Sequence, residues 1–81
     1  MTVHVQMAAR EWLFEEARKL LKCERVGAED HFMDLGGDSL LAPLLANRIE
    51  AKFGVRPELE EIFTLSFGAL ADIVSSGRTE Q

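Results

Sequence analysis

Residues Leu35–Gly54 read LGGDSLLAPLLANRIEAKFG, and they hold a turn, a helix start, an apolar face and a helix stop in that order. At about 100° per residue, Leu41, Leu45, Ile49 and Phe53 share one side, with Ala42 and Ala46 beside them. That side is predicted to be core, in a helix from about Ser39 to Phe53 that Gly54 ends by taking a left-handed conformation. Ahead of it, Gly36 and Gly37 allow a tight turn where bulkier residues would be strained.

The flanks supply the elements against which this helix packs. Between about Met7 and Lys22, Ala9, Leu13, Ala17, Leu20 and Leu21 fall on one helical stripe, opposite Arg10, Glu15, Glu16, Arg18 and Lys19. Lys19 and Lys22 suit the negative pole at the end of that helix. From Cys23 to Asp38 the periodicity lapses into a connection long for so small a domain, with Val26, Phe32 and Leu35 spaced as pegs into the core. Pro57 is predicted to open a short helix through Phe63, with Glu58, Glu60 and Glu61 at its positive pole. Ser66 is predicted to cap a last helix whose Phe67, Leu70, Ala71 and Val74 point inward, closing near Gly77. No segment alternates as a strand does. The fold class is all-α: a small bundle of three main helices plus one short helix, a single domain over 1–81 with a core of about 7–75 and a polar tail at 76–81.

Composition narrows the function. The net charge of −5 speaks against nucleic acid and anionic membranes as main partners, since both are bound by clustered Lys and Arg. With one cysteine, Cys23, there is neither an internal disulfide nor a thiolate zinc cluster. A reducing cytoplasm is the expected home, and a monomer without signal segment or membrane span is expected, with a free-standing domain and a piece cut from a larger synthetase both left open. Cys23 fits the place of a small apolar residue, His31 a solvated loop, Trp12 the bundle surface, and the acidic run a solvated helix turn.

Ser39 is the residue with chemical promise. At the head of a helix it lies where amide N–H groups are unpaired, and such a pole stabilises a phosphate. A simple capping role for Asp38 or Ser39 explains the same residues, and composition and spacing leave both open. Enzymatic readings fare worse. GDSL also names a family of serine hydrolases, but His4 and His31 both precede Ser39 and the chain is too small to wrap a substrate. A calcium loop from Asp34 would have Ser39 at its sixth position, where Gly belongs, and Leu45 at its twelfth, where Glu belongs.

The segment DHFMDLGGDSLL, Asp30 to Leu41, resembles the modification motif of the phosphopantetheine-dependent carrier proteins, Asp-x-Phe-Phe-x-Leu-Gly-Gly-(His or Asp)-Ser-Leu. ERVG at Glu24–Gly27, NRIEAKFGV at Asn47–Val55 and EEIFTLSFGALADIV at Glu60–Val74 are similar to the same family. The resemblance implies an acyl-carrier-like fold and a non-catalytic carrier. A phosphopantetheinyl transferase, using coenzyme A and Mg2+, would attach 4′-phosphopantetheine to Ser39, with Gly36, Gly37 and Asp38 as motif flanks. Adenylating or loading enzymes, then condensing or tailoring enzymes, would be the further partners. LGGDS is more similar to the peptidyl carriers of nonribosomal peptide synthesis than to fatty-acid carriers. A polyketide-type acyl carrier and an unmodified helical interaction module are the rival readings. Leu40 and Leu44 fall away from the core direction, either as a partner surface or packed under the long loop. Pro43 raises the question of where the helix starts, and Leu65 stands where the family often has Pro.

Overall fold

The structure, a computed structural model, describes residues 2–76, with side chains from Ala9 onward. Among the described residues it contains four helices: α1 (Thr2–Leu21), α2 (Leu41–Phe53), α3 (Leu59–Thr64) and α4 (Phe67–Ser76). Pairing of strand type is confined there to one isolated bridge, His31 with Ser66. No described helix is long and apolar enough to cross a membrane.

The helical stripes read from the sequence are the faces that pack. Ala9, Leu13 and Ala17 of α1, Ala42, Leu45, Ala46 and Ile49 of α2, Ile62 of α3, and Phe67, Leu70, Ala71 and Val74 of α4 are all buried in one cluster. α1 packs chiefly on α4 and also on α2, while α3 rests on α2. Edge-on ring contacts tie the layers: Trp12 meets Phe53 at 5.2 Å and Phe14 meets Phe67 at 6.5 Å between centroids. Trp12 therefore packs on the bundle, as expected.

Three helix boundaries differ from those expected, each for a physical reason. α1 starts at Thr2 rather than near Met7; neither Gly nor Pro interrupts 2–21, so the backbone continues where β-branched Thr2, Val3 and Val5 weaken the sequence signal. It ends on Lys22, a non-glycine at φ 56°, with the Cys23 amide donating to the Arg18 carbonyl at 3.2 Å. α3 starts at Leu59, two residues past Pro57, because Glu58 and Glu61 form a reciprocal capping box in which the Glu58 amide donates to Glu61 Oε1 at 2.9 Å. Pro57 instead lies outside the helix as a fully buried residue. The shift at α2, which starts at Leu41 and not at Ser39, lies at the site. Ser66 caps α4 as expected, its hydroxyl accepting from the Ala69 amide at 3.3 Å. Gly77 and the tail 77–81 lie outside the described residues.

The long connection is anchored at both ends. Phe32 is fully buried, its ring edge-on to Phe63 and Phe67 at 6.1 and 6.4 Å, and Val26 and Leu35 pack partly buried beside it. Burial of a ring of this size stabilises by about 1.5–3 kcal/mol. Backbone bonds from the Phe67 amide to the Asp30 carbonyl (2.9 Å) and from the Gly68 amide to the Ala28 carbonyl (2.8 Å) fasten the loop to the start of α4. The segment leading to Ser39 is held by the core, although it is not itself a helix.

Candidate functional site

The turn before Ser39 is a single helical turn closed by a Schellman motif. The Gly37 amide donates to the Phe32 carbonyl at 2.9 Å and the Gly36 amide to the Met33 carbonyl at 3.2 Å, with Gly36 left-handed at φ 102°. The two glycines thus serve different ends. Gly36 is needed for its backbone conformation, and a Cβ there would meet nothing within 4 Å. Gly37 is needed for space: a Cβ on it would lie 2.3 Å from the Phe32 ring. The buried ring that anchors the loop is also the surface against which the chain turns into Ser39.

Asp38 then starts the next helical turn. Its Oδ1 accepts from the amides of Leu40 and Leu41, both at 3.0 Å, and its carbonyl accepts from Leu41 and Ala42 at 3.2 and 3.1 Å. Leu40 already has helical dihedrals, φ −81° and ψ −34°. Helical geometry therefore begins next to Ser39, as the sequence suggests, yet the regular α2 ladder begins only at Leu41. Pro43 supplies the reason: without an N–H it cannot bond the Ser39 carbonyl, so one rung is missing and the proline sits unstrained in the first turn of α2.

One expectation is corrected here. The first amides of this helix are not free to receive a phosphate, because the Asp38 carboxylate occupies those of Leu40 and Leu41. The cap and the chemistry are divided between neighbours. Asp38 caps, and the Ser39 side chain is exposed with no hydrogen-bond partner among the described residues.

Leu40 is 79% and Leu44 45% exposed, so neither packs under the long loop. One helical turn apart, they form an apolar ridge beside Ser39. Met33, in the turn ahead of Gly36, and Leu59, at the start of α3, are also exposed; periodicity does not single them out, since each is a lone apolar residue at the edge of an element. The remaining candidates stand apart. Cys23 is half-buried with its thiol 3.6 Å from the Arg25 carbonyl, and His31 is half-buried in the bridge to Ser66 rather than fully solvated. No three His, Cys, Asp or Glu side chains among the described residues are grouped as a metal ion would need.

A family model described as the phosphopantetheine attachment site matches residues 11–74. The chain belongs to that family. Members of the phosphopantetheine attachment site family hold 4′-phosphopantetheine covalently, and an exposed, unpartnered hydroxyl at the end of a rigid glycine turn fits such a link. The carrier domain is 43% identical over 68 residues to a probable non-canonical nonribosomal peptide synthetase, CymA, from Salinispora arenicola, covering 83% of this chain and 1% of that protein. It is 39% identical over 70 residues to enniatin synthase from Fusarium equiseti, 85% of this chain and 2% of the relative. With the dimodular nonribosomal peptide synthase of Bacillus subtilis it shares 36% over 63 residues, 76% of this chain and 3% of the relative. The chain thus spans only a few hundredths of the length of the synthetases it matches.

Proposed function

We propose that this chain is a non-catalytic peptidyl carrier, with Ser39 as the residue that takes the phosphopantetheine arm, in nonribosomal peptide synthesis. The observation that carries the proposal is the Ser39 hydroxyl itself, solvent-exposed and free of partners one residue after the Asp38 cap. Nothing has to be broken within the domain for a transferase to reach it. In the transfer, Ser39 Oγ forms a bond to phosphorus while the bond between the two phosphates of coenzyme A breaks. Adenosine 3′,5′-bisphosphate leaves with the electron pair, and the serine proton passes to a base of the transferase. When bound, the arm supplies a terminal thiol that holds a cargo as a thioester.

The domain's own part is presentation. The Schellman turn over Phe32 fixes where Ser39 stands, and the ridge of Leu40 and Leu44, with Met33 and Leu59, offers apolar surface for the transferase and the loading and condensing domains to cover. Kinship with peptide synthetases favours peptidyl over polyketide service. A free thiol suits a reducing, cytoplasmic compartment.

The experiment is incubation with coenzyme A, Mg2+ and a broad-specificity transferase, followed by intact mass measurement. One phosphopantetheine is expected on the wild type and none on Ser39→Ala, which should melt at the wild-type temperature because the hydroxyl bonds nothing. Wild-type protein that stays unmodified, or a Ser39→Ala variant that gains the arm, overturns the reading. A panel of adenylating enzymes then identifies the amino acid loaded.

A further inference from the structure

The head of a helix is ordinarily a place where a phosphate settles, drawn by unpaired amides and the positive pole. In this chain Asp38 takes up the amides of Leu40, Leu41 and Ala42. Asp38 Oδ1 takes the Leu40 and Leu41 amides, its carbonyl takes Leu41 and Ala42, and its full negative charge faces a pole worth roughly half a charge. Side-chain cations are also sparse in the sequence around Ser39. Between Arg25 and Arg48 the sequence has no Lys or Arg, but it has Glu29, Asp30, Asp34 and Asp38. His31, in the same stretch, is tied by its backbone to Ser66. Among the described residues, Arg48 bonds Glu16 at 3.0 Å and Arg56 bonds Asn47 and Glu50 at 2.6 and 3.0 Å.

We propose that Asp38 is a positioning residue for the modified Ser39: its carboxylate holds the Leu40 and Leu41 amides and so keeps the phosphodiester off the head of α2. The inference rests on Ser39 being the attachment residue. It adds that the amides of Leu40 and Leu41 give the phosphate no hold, so the arm swings from Ser39 instead of lying along the helix. To bind those amides the phosphate would have to displace an intramolecular acceptor already in place one residue away, and like charges oppose that exchange. A single residue thus supports both the turn that presents the serine and the freedom of what the serine carries.

The test uses 15N-labelled protein, unmodified and after loading by a transferase with coenzyme A, as wild type, Asp38→Asn and Asp38→Ala, with intact mass establishing modification at Ser39 first. In wild type the Leu40 and Leu41 amides are expected to show no phosphorus coupling across a hydrogen bond on loading and no large downfield shift, and phosphorus relaxation should report motion faster than domain tumbling. Asp38→Asn keeps an acceptor oxygen at the cap and should behave as wild type does. Asp38→Ala frees the amides: on loading, one or both should shift downfield, and phosphorus relaxation should slow toward that of the domain. Coupling of phosphorus to either amide in wild type or Asp38→Asn overturns the inference, as does a loaded Asp38→Ala whose amides and phosphorus stay unchanged. Should Asp38→Ala not fold, the other two proteins still decide the question. Absence of the added mass at Ser39 would instead refute the attachment reading, which the mass spectrum shows separately.

Discussion

Gly37→Ala separates space from backbone freedom as the reason for the glycine pair. The added Cβ would lie 2.3, 2.4 and 2.7 Å from three atoms of the Phe32 ring, whereas carbon atoms rest about 3.5–4.0 Å apart. The ring must therefore retreat by roughly 1 Å. It has little room to do so, being fully buried with its edges on Phe63 and Phe67. Overpacking of this kind costs about 1–3 kcal/mol, and in a domain of this size each kcal/mol lowers the melting temperature by roughly 4–8 °C. A fall on the order of 10 °C is expected by circular dichroism melting, with a matching loss in urea. Phe32→Leu should be less harmful in the Gly37→Ala background than in wild type, because the smaller side chain vacates the space the methyl needs. If Gly37→Ala melts with wild type, or if the two changes add without coupling, the ring contact is not what demands the glycine.

Further outcomes follow from the same geometry. Gly36→Ala should cost about 1–2 kcal/mol through its left-handed φ alone, with no coupling to Phe32→Leu, since its Cβ meets nothing. Leu40→Ala should leave urea stability within about 0.5 kcal/mol of wild type, as befits an exposed position, while lowering the rate of loading by a partner enzyme; an unchanged rate would remove Leu40 from the docking surface. Pro43→Ala restores a donor to the Ser39 carbonyl, a gain of about 0.5–1.5 kcal/mol, but gives back unfolded-state entropy of about 0.4–1 kcal/mol. Near-neutral stability is expected there, with a new amide that hydrogen exchange finds protected. The hydrogen bond from the Arg18 guanidinium holds the Glu15 carboxyl below its usual range. A carboxyl depressed in the folded state stabilises above its unfolded pKa and loses that contribution as pH falls through the folded value. Because both groups are solvent-exposed, Glu15→Gln should soften the acid limb of a stability–pH profile only slightly.

Much of this domain follows from short-range order. Apolar residues at helical spacing place the buried faces of α1, α2 and α4, Ser66 and Gly54 mark a start and a stop, and the LGGDS turn points to Ser39, because each signal depends on residues within one or two turns of one another. The capping box at α3 is harder to see, since Glu58 is an unusual cap and Pro57 offers a more familiar start. What the tertiary structure decided depends on groups brought together from a distance or on competition for one partner. That Gly37 is needed for room reflects where the Phe32 ring lies, and the ring lies there because Phe63 and Phe67 hold it. That Leu40 and Leu44 face solvent depends on the loop packing elsewhere. That Asp38 and not Ser39 is the cap follows from which side-chain oxygen reaches the Leu40 and Leu41 amides, a choice between neighbours that spacing alone left open.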